Sequence, residues 1–324
     1  MMKFFTHIDI KPLPFQIDYS SHICSLGSCF ANNIAIKLRD AKFNIVSSPT
    51  GILFNPESIA STINRLATTS EITSAEMVND GELWFNYDFH SSFSSTSYEQ
   101  ALSSMQEAIG YGAEALKNAD TVIITFGTAW VYRLQKSGKV VANCHKQPHN
   151  LFSRELLSVE DIVKSWSSIL SSHLKDKHII FTVSPIRHLS DGLEQNSLSK
   201  AILRIAIAEL QKSFSNVCYF PSFEIVNDEL RDYRFYAEDM IHPSEVALEH
   251  IWQRFIEVAI NHETHATMQR ISKLQQAAQH KPFNPSSEAY KNFCRTQLSI
   301  IEQLQSLYPW MNFAKEKSHF CGHL

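Results

Sequence analysis

The chain has no run of about eighteen apolar residues, the length a helix needs to cross a bilayer, so the sequence excludes a transmembrane helix. It also lacks a strong excess of one charge: 29 Lys and Arg stand against 33 Asp and Glu, a net charge of −4. That balance gives no broad electrostatic case for nucleic acid or a membrane surface as partner. The six cysteines, at 24, 29, 144, 218, 294 and 321, never fall in CxxC spacing. Residues 1–10 hold a lysine but no sustained apolar core and no small-residue cleavage site, so they do not read as a secretion signal. Reduced thiols and a cytoplasmic location are therefore expected, rather than a disulfide framework. There is no internal repeat, and nothing in the sequence specifies an oligomeric state.

What is present is an ordinary globular composition, 44% hydrophobic over 324 residues, enough for a full core. Strand-like and helix-like segments alternate, which predicts an α/β fold with a parallel sheet. The expected strands are His22 to Leu26, Phe43 to Val46, Thr121 to Phe126, His178 to Val183 and Val217 to Phe220. Helices follow them: Phe30, Ile34, Leu38 and Ala41 recur at helical spacing, and Asn55-Pro56-Glu57-Ser58 opens the next with Asn55 as cap. Ser158-Val159-Glu160-Asp161 is a capping-box start, and Val131–Leu134 with Lys139–Ala142 reads as a hairpin around Gly138. Ser91 to Ser97 is expected to be a mobile polar loop. After His262 the chain turns polar and helical. Residues 1–262 are thus read as one α/β domain and 263–324 as a helical extension.

Chemistry is sought at the strand ends, because parallel α/β sheets bind ligands beyond the carboxyl ends of their strands. The first of these ends is Gly27-Ser28-Cys29-Phe30-Ala31, running into a helix. Ser28 there is either a helix cap, the commoner role, or a nucleophile beside unpaired N–H groups. Cys29 shares that environment, which lowers thiol pKa values, but only one of the two neighbours is expected to face the cleft. Past the last strand lies Asp239-Met240-Ile241-His242-Pro243. A single helical turn would set Asp239 and His242 on one side, where a carboxylate can hold an imidazole as base for the serine. The bland readings are a turn aspartate and a helix entry. Cys144, His145 and His149, like His262 and His265, lack a convincing set of metal ligands, so no metal and no cofactor is expected.

Gly27-Ser28-Cys29-Phe30-Ala31 spells the signature that names the GSCFA domain family, a bacterial group related to the SGNH/GDSL hydrolases. The chain resembles that family over roughly residues 20–258, also through Gly51-Ile52-Leu53-Phe54-Asn55-Pro56, Phe126-Gly127-Thr128-Ala129-Trp130, Asn143-Cys144-His145-Lys146, Ser184-Pro185-Ile186-Arg187-His188 and Asp239 to Ser244. The resemblance implies a three-layer α/β/α, flavodoxin-like fold. It implies a serine-dependent esterase or acyltransferase, with Ser28 as nucleophile, His242 as base, Asp239 as its partner and Cys29 packed behind Ser28.

In the wider pattern the oxyanion donors would be the N–H groups of Ser28 and Gly51, plus an asparagine two residues after a glycine. This chain reads Gly127-Thr128-Ala129 at that place, so Asn143 or His145 becomes the candidate replacement, with the Gly127 and Thr128 backbones as a further option. Asn55, Thr128, His145, Lys146, Arg187 and His188 complete the substrate-facing set. Structural hydrogen bonds or ion pairs are the competing reading for Lys146, Arg187 and His188. The expected substrate is an O-acyl ester, with a small acyl group on a carbohydrate by analogy with the superfamily. The alternative is a binding or scaffold protein on a degenerate hydrolase fold, supported by the missing asparagine.

Overall fold

The computed structural model describes residues 6–324. Five parallel strands form its centre: β1 (His22–Gly27), β2 (Asn44–Ser47), β5 (Thr121–Phe126), β9 (His178–Val183) and β10 (Val217–Tyr219). They lie in the order β10-β9-β5-β1-β2. The strand order reverses between β1 and β5, the neighbouring pair from which the chain winds outward in both directions. In a flavodoxin-like sheet that switch point opens the ligand crevice. β1 and β5 pair directly, from Ile23 opposite Thr121 to Gly27 opposite Thr125.

The strands read as apolar runs because both faces are covered. Cys24, Leu26, Val122, Ile124, Ile179 and Phe181 join one core with α2 (Pro56–Thr68), α3 (Tyr98–Asn118), α4 (Val159–Ser172) and α5 (Leu193–Ser213). Their alternate neighbours Ile23, Ile123 and Ile180 face the other way, into a core shared with α1 (Cys29–Asp40) and α7 (Glu245–Ala259). The three-layer α/β/α expectation is met. Asn55 caps α2 by accepting the Ser58 N–H at 2.8 Å, and Ser158 with Asp161 forms the capping box of α4.

Smaller elements decorate this frame. β3 (Val78–Asn79) and β4 (Trp84–Phe85) form a short antiparallel pair. The hairpin is present as β6 (Trp130–Leu134) with β7 (Val140–Val141), but a third strand, β8 (Phe152–Leu156), pairs along the other side of β6. The serine-rich stretch is built into the structure rather than left as a loose loop. Ser91–Phe93 forms a 3-10 turn, Ser95 bridges to Trp84, and Ser97 caps α3. A short helix, α6 (Ser222–Glu224), runs into a π-helical turn over Ile225–Glu229.

The extension consists of α8 (His265–Gln279), α9 (Glu288–Leu307) and α10 (Ala314–Cys321). Ile271, Leu274, Cys294, Ile301, Leu304, Phe313 and Phe320 are buried in the same core as Ile34, Leu38 and Trp252. Polar ties hold the C-terminal end of α1. Lys42 Nζ donates to Glu316 at 2.9 Å and to the Asn312 carbonyl at 2.8 Å, and Gln275 donates to the Asp40 carbonyl. The 263–324 segment therefore packs on the α/β core and completes one of its faces. Among the described residues no helix is long and apolar enough to cross a membrane.

Candidate active site

The β1–α1 turn is tight because Gly27 can enter a backbone region closed to other residues. Its φ is +138°, and a Cβ there would sit 2.2 Å from the Thr125 carbonyl oxygen of β5. The chain then turns into α1, with the Ser28 N–H donating to the Thr125 carbonyl at 3.2 Å. Ser28 occupies the N-cap position but makes no side-chain cap bond. Its Oγ is buried without a hydrogen-bond partner, and the residue is 1% exposed. The Ser28 side chain therefore makes neither the helix-cap bond of one sequence reading nor a hydrogen bond to His242, the contact that the other would use.

Cys29, the first residue of α1, is the one that meets it. Its Sγ lies 3.9 Å from His242 Nε2, so it is not packed behind Ser28. Burial raises the Cys29 thiol above its ordinary pKa, while the N–H groups of Cys29 and Phe30 and the Lys200 ammonium pull in the opposite direction.

His242 and Asp239 come together through a turn, not through the helical turn expected from their spacing. Met240 has φ +57°, and the Asp239 carboxylate accepts the backbone N–H groups of Ile241 at 2.9 Å and His242 at 3.0 Å. This is the local competition with helix that aspartate side chains offer. The second carboxylate oxygen lies 2.6 Å from His242 Nδ1, leaving Nε2 directed at Cys29. Hydrogen bonds from the His242 backbone and ring, then from Ile241, hold the Asp239 carboxyl down at about 2. Ser244 accepts the Ala247 N–H and starts α7 just beyond the pair.

Beneath the turn lies a lysine that the sequence reading passes over. Lys200 is 2% exposed, and its Nζ donates to the carbonyls of Gly127 at 2.5 Å and Ser184 at 2.8 Å, which joins the ends of β5 and β9. Burial lowers its pKa to about 7, with Cys29 and Asp191 opposing that shift. A signal was available: Lys200, Leu203, Ile207 and Leu210 fall on one helical stripe, and all are buried.

Several expected donors and substrate contacts are otherwise engaged. The Gly51 N–H donates to the Ser48 carbonyl at 2.8 Å, closing a local turn, and the Ser28 N–H is taken by Thr125. Gly127 and Thr128 both donate their N–H groups to Phe54. Asn143 lies in the loop after β7, where its Oδ1 accepts the His145 N–H. His145 Nε2 sits 3.0 Å from the Asn86 carbonyl and 3.1 Å from that of Phe89, with its ring stacked on Phe85. The Thr128 hydroxyl meets Ser199 at 3.1 Å, and Asn55 is the α2 cap. Lys146 is exposed on the loop after β7. The Arg187 guanidinium lies 4.0 Å from the Tyr236 ring centre. The His188 N–H donates to Asn196, and burial, then Lys200, lowers the His188 ring pKa to about 4. Of the expected catalytic residues, Asp239 and His242 are hydrogen-bonded to each other, while the Ser28 hydroxyl joins neither.

No curated protein matches the chain. Solved structures similar to it include a putative platelet activating factor from Streptococcus pneumonia, at 11% identity and TM-score 0.38, covering 73% of this chain and 83% of that one. A family 3 carbohydrate esterase from Clostridium thermocellum is similar at 11% identity and TM-score 0.38, covering 78% of this chain and 98% of the other. The profile described as the GSCFA domain protein C-terminal domain matches residues 271–321, the α8–α10 extension. The GSCFA family profile matches residues 22–255, from β1 through most of α7, and the chain belongs to the GSCFA family.

Proposed function

We propose that this chain is an acyl-ester hydrolase or O-acyltransferase working through a covalent acyl-enzyme at the β1–α1 turn. The observation that carries this reading is the Asp239–His242 pair, with Nε2 turned toward the first residue of α1 at the sheet's switch point. Asp239 holds the imidazole in one tautomer and steadies its protonated form. His242 takes the proton of the attacking group, and the ester carbonyl carbon becomes tetrahedral. The N–H groups of Cys29 and Phe30, at the positive end of the α1 dipole, are the donors for the oxyanion, since those of Gly51 and Ser28 are spent. His242 then returns the proton to the leaving alkoxide. Water releases the acyl group in a hydrolase, and an acceptor hydroxyl does so in a transferase. A small acyl group such as acetyl on a carbohydrate hydroxyl is the substrate class, by analogy with the superfamily.

The test is release of nitrophenol from 4-nitrophenyl acetate and of acetate from a peracetylated sugar by the full chain. His242→Ala should lower kcat by at least about 100-fold, the usual weight of a positioned base. The engaged Gly51 N–H favours a second reading, a binding protein on the same fold. Wild-type protein that releases neither product above background, yet binds an acylated sugar, would establish that reading instead.

A further inference from the structure

We propose that the attacking atom is Cys29 Sγ, so that the acyl-enzyme is a thioester rather than a serine ester. This rests on the acyl-transfer reading above and concerns its reacting atom.

Three side chains stand in sequence: Cys29 Sγ 3.9 Å from His242 Nε2, and His242 Nδ1 2.6 Å from Asp239 Oδ2. That is the nucleophile, base and orienting group of a covalent acyl-transfer site, on three residues brought together from the two ends of the α/β unit. Ser28 stands outside this line. Its Oγ is buried with no partner, and its Cβ lies against Gly127, where even a methyl group would come within 3.3 Å. Reaching a substrate would require turning that hydroxyl out of the strand-end packing. Cys29 is only partly buried and opens on the same side as His242, whose side chain is 46% exposed.

The surroundings suit a thiol. Cys29 heads a twelve-residue helix, so the unpaired N–H groups of the first turn favour a sulfur anion. Lys200 adds a buried cation below the turn, fixed by two backbone carbonyls. Burial keeps the resting thiol protonated, which gives His242 a proton to remove at the moment of attack.

In the step itself, His242 Nε2 takes the Sγ proton as Sγ bonds to the ester carbonyl carbon. The carbon–oxygen bond to the alcohol breaks, and the alkoxide leaves with the proton from Nε2. Water or an acceptor hydroxyl then gives a proton to Nε2 and attacks the thioester. The carbon–sulfur bond breaks, and the proton returns to Sγ.

Two measurements on the full chain decide this. First, protein acylated with 4-nitrophenyl acetate is mapped by peptide mass spectrometry and exposed to neutral hydroxylamine. Acetyl on Cys29, discharged by hydroxylamine, is the expected result, with loss of at least about 100-fold in turnover in Cys29→Ala and less than about 10-fold in Ser28→Ala. A hydroxylamine-stable acetyl on Ser28, or full turnover in Cys29→Ala, overturns the proposal. Second, iodoacetamide labelling of Cys29 is followed against pH, independently of any ester. The rate should fall several-fold in His242→Ala and in Asp239→Asn, with Cys29→Ser unlabelled at that peptide. Labelling that ignores both substitutions overturns the pairing even if esters are cleaved. Coupled labelling without ester cleavage retains the pairing and rejects the acyl-ester reading alone.

Discussion

Asp239 holds His242 at two points, through the ring at 2.6 Å and through its backbone N–H, and the oxygen that takes this N–H also accepts that of Ile241. The carboxylate therefore shapes the turn that presents the imidazole as well as fixing which ring nitrogen faces Cys29.

The Asp239 carboxyl should titrate at about 2, observed by carbonyl NMR. A depressed carboxyl contributes stability at pH values above its ordinary 3.8, and that contribution is lost as pH falls through the folded value. The turn should thus hold through mild acid and loosen only near pH 2. His242→Ala should move the midpoint part of the way back up, because the backbone bonds remain. A midpoint already at 3.8 in wild-type protein would contradict the geometry.

Gly27→Ala should destabilise the fold by about 2 kcal/mol or more, read as a lower urea midpoint at unchanged slope. The added Cβ meets a backbone oxygen of the adjacent strand at 2.2 Å, which cannot swing away as a side chain can. A neutral result would mean that the turn is looser than the β1–β5 register implies.

The strand–helix order and the flavodoxin-like sheet were legible because they rest on strong local patterns, whereas the three-residue spacing of Asp239 and His242 suggested their contact but not the turn that makes it. The Thr121–Phe126 and His178–Val183 runs are apolar and bounded, and Asn55-Pro56 and Ser158–Asp161 carry their own capping chemistry. The identity of the residue facing the base was not legible. Ser28 and Cys29 are neighbours, and which one turns outward depends on the φ of Gly27 and on the packing of Ser28 against Gly127. The Gly51 donor failed for a similar reason, since Ser48, at φ +46°, folds back to accept its N–H. β8 escaped because Phe152–Leu156 exposes Ser153, Arg154 and Glu155 and carries little hydrophobic alternation.

Lys200 should leave a signature in the pH dependence of stability. Burial lowers its pKa to about 7, while the unfolded chain keeps a lysine near 10.5. Between those values the unfolded state holds more protons, so stability rises with pH across that window. Lys200→Met should remove that rise in urea unfolding measured from pH 7 to 10, and should slow iodoacetamide labelling of Cys29. Identical pH slopes in the two proteins would place the ammonium in a wetter setting.

His145→Ala tests whether that ring serves substrate or scaffold. Its bonds to the Asn86 and Phe89 carbonyls assign it to the scaffold, so stability should drop by about 1–2 kcal/mol while the Cys29 labelling rate is unchanged. A raised KM for esters at unchanged stability would return His145 to the substrate-facing set.

The α8–α10 helices complete a face of the core that α1 and α7 leave unfinished. A protein cut at 262 would bare Ile34, Leu38 and Trp252 to water and free the Lys42 clasp at the far end of the helix that begins with Cys29. The two family segments thus share one hydrophobic core. The tail grips the C-terminal end of α1, about 18 Å along that helix from the sulfur at its start.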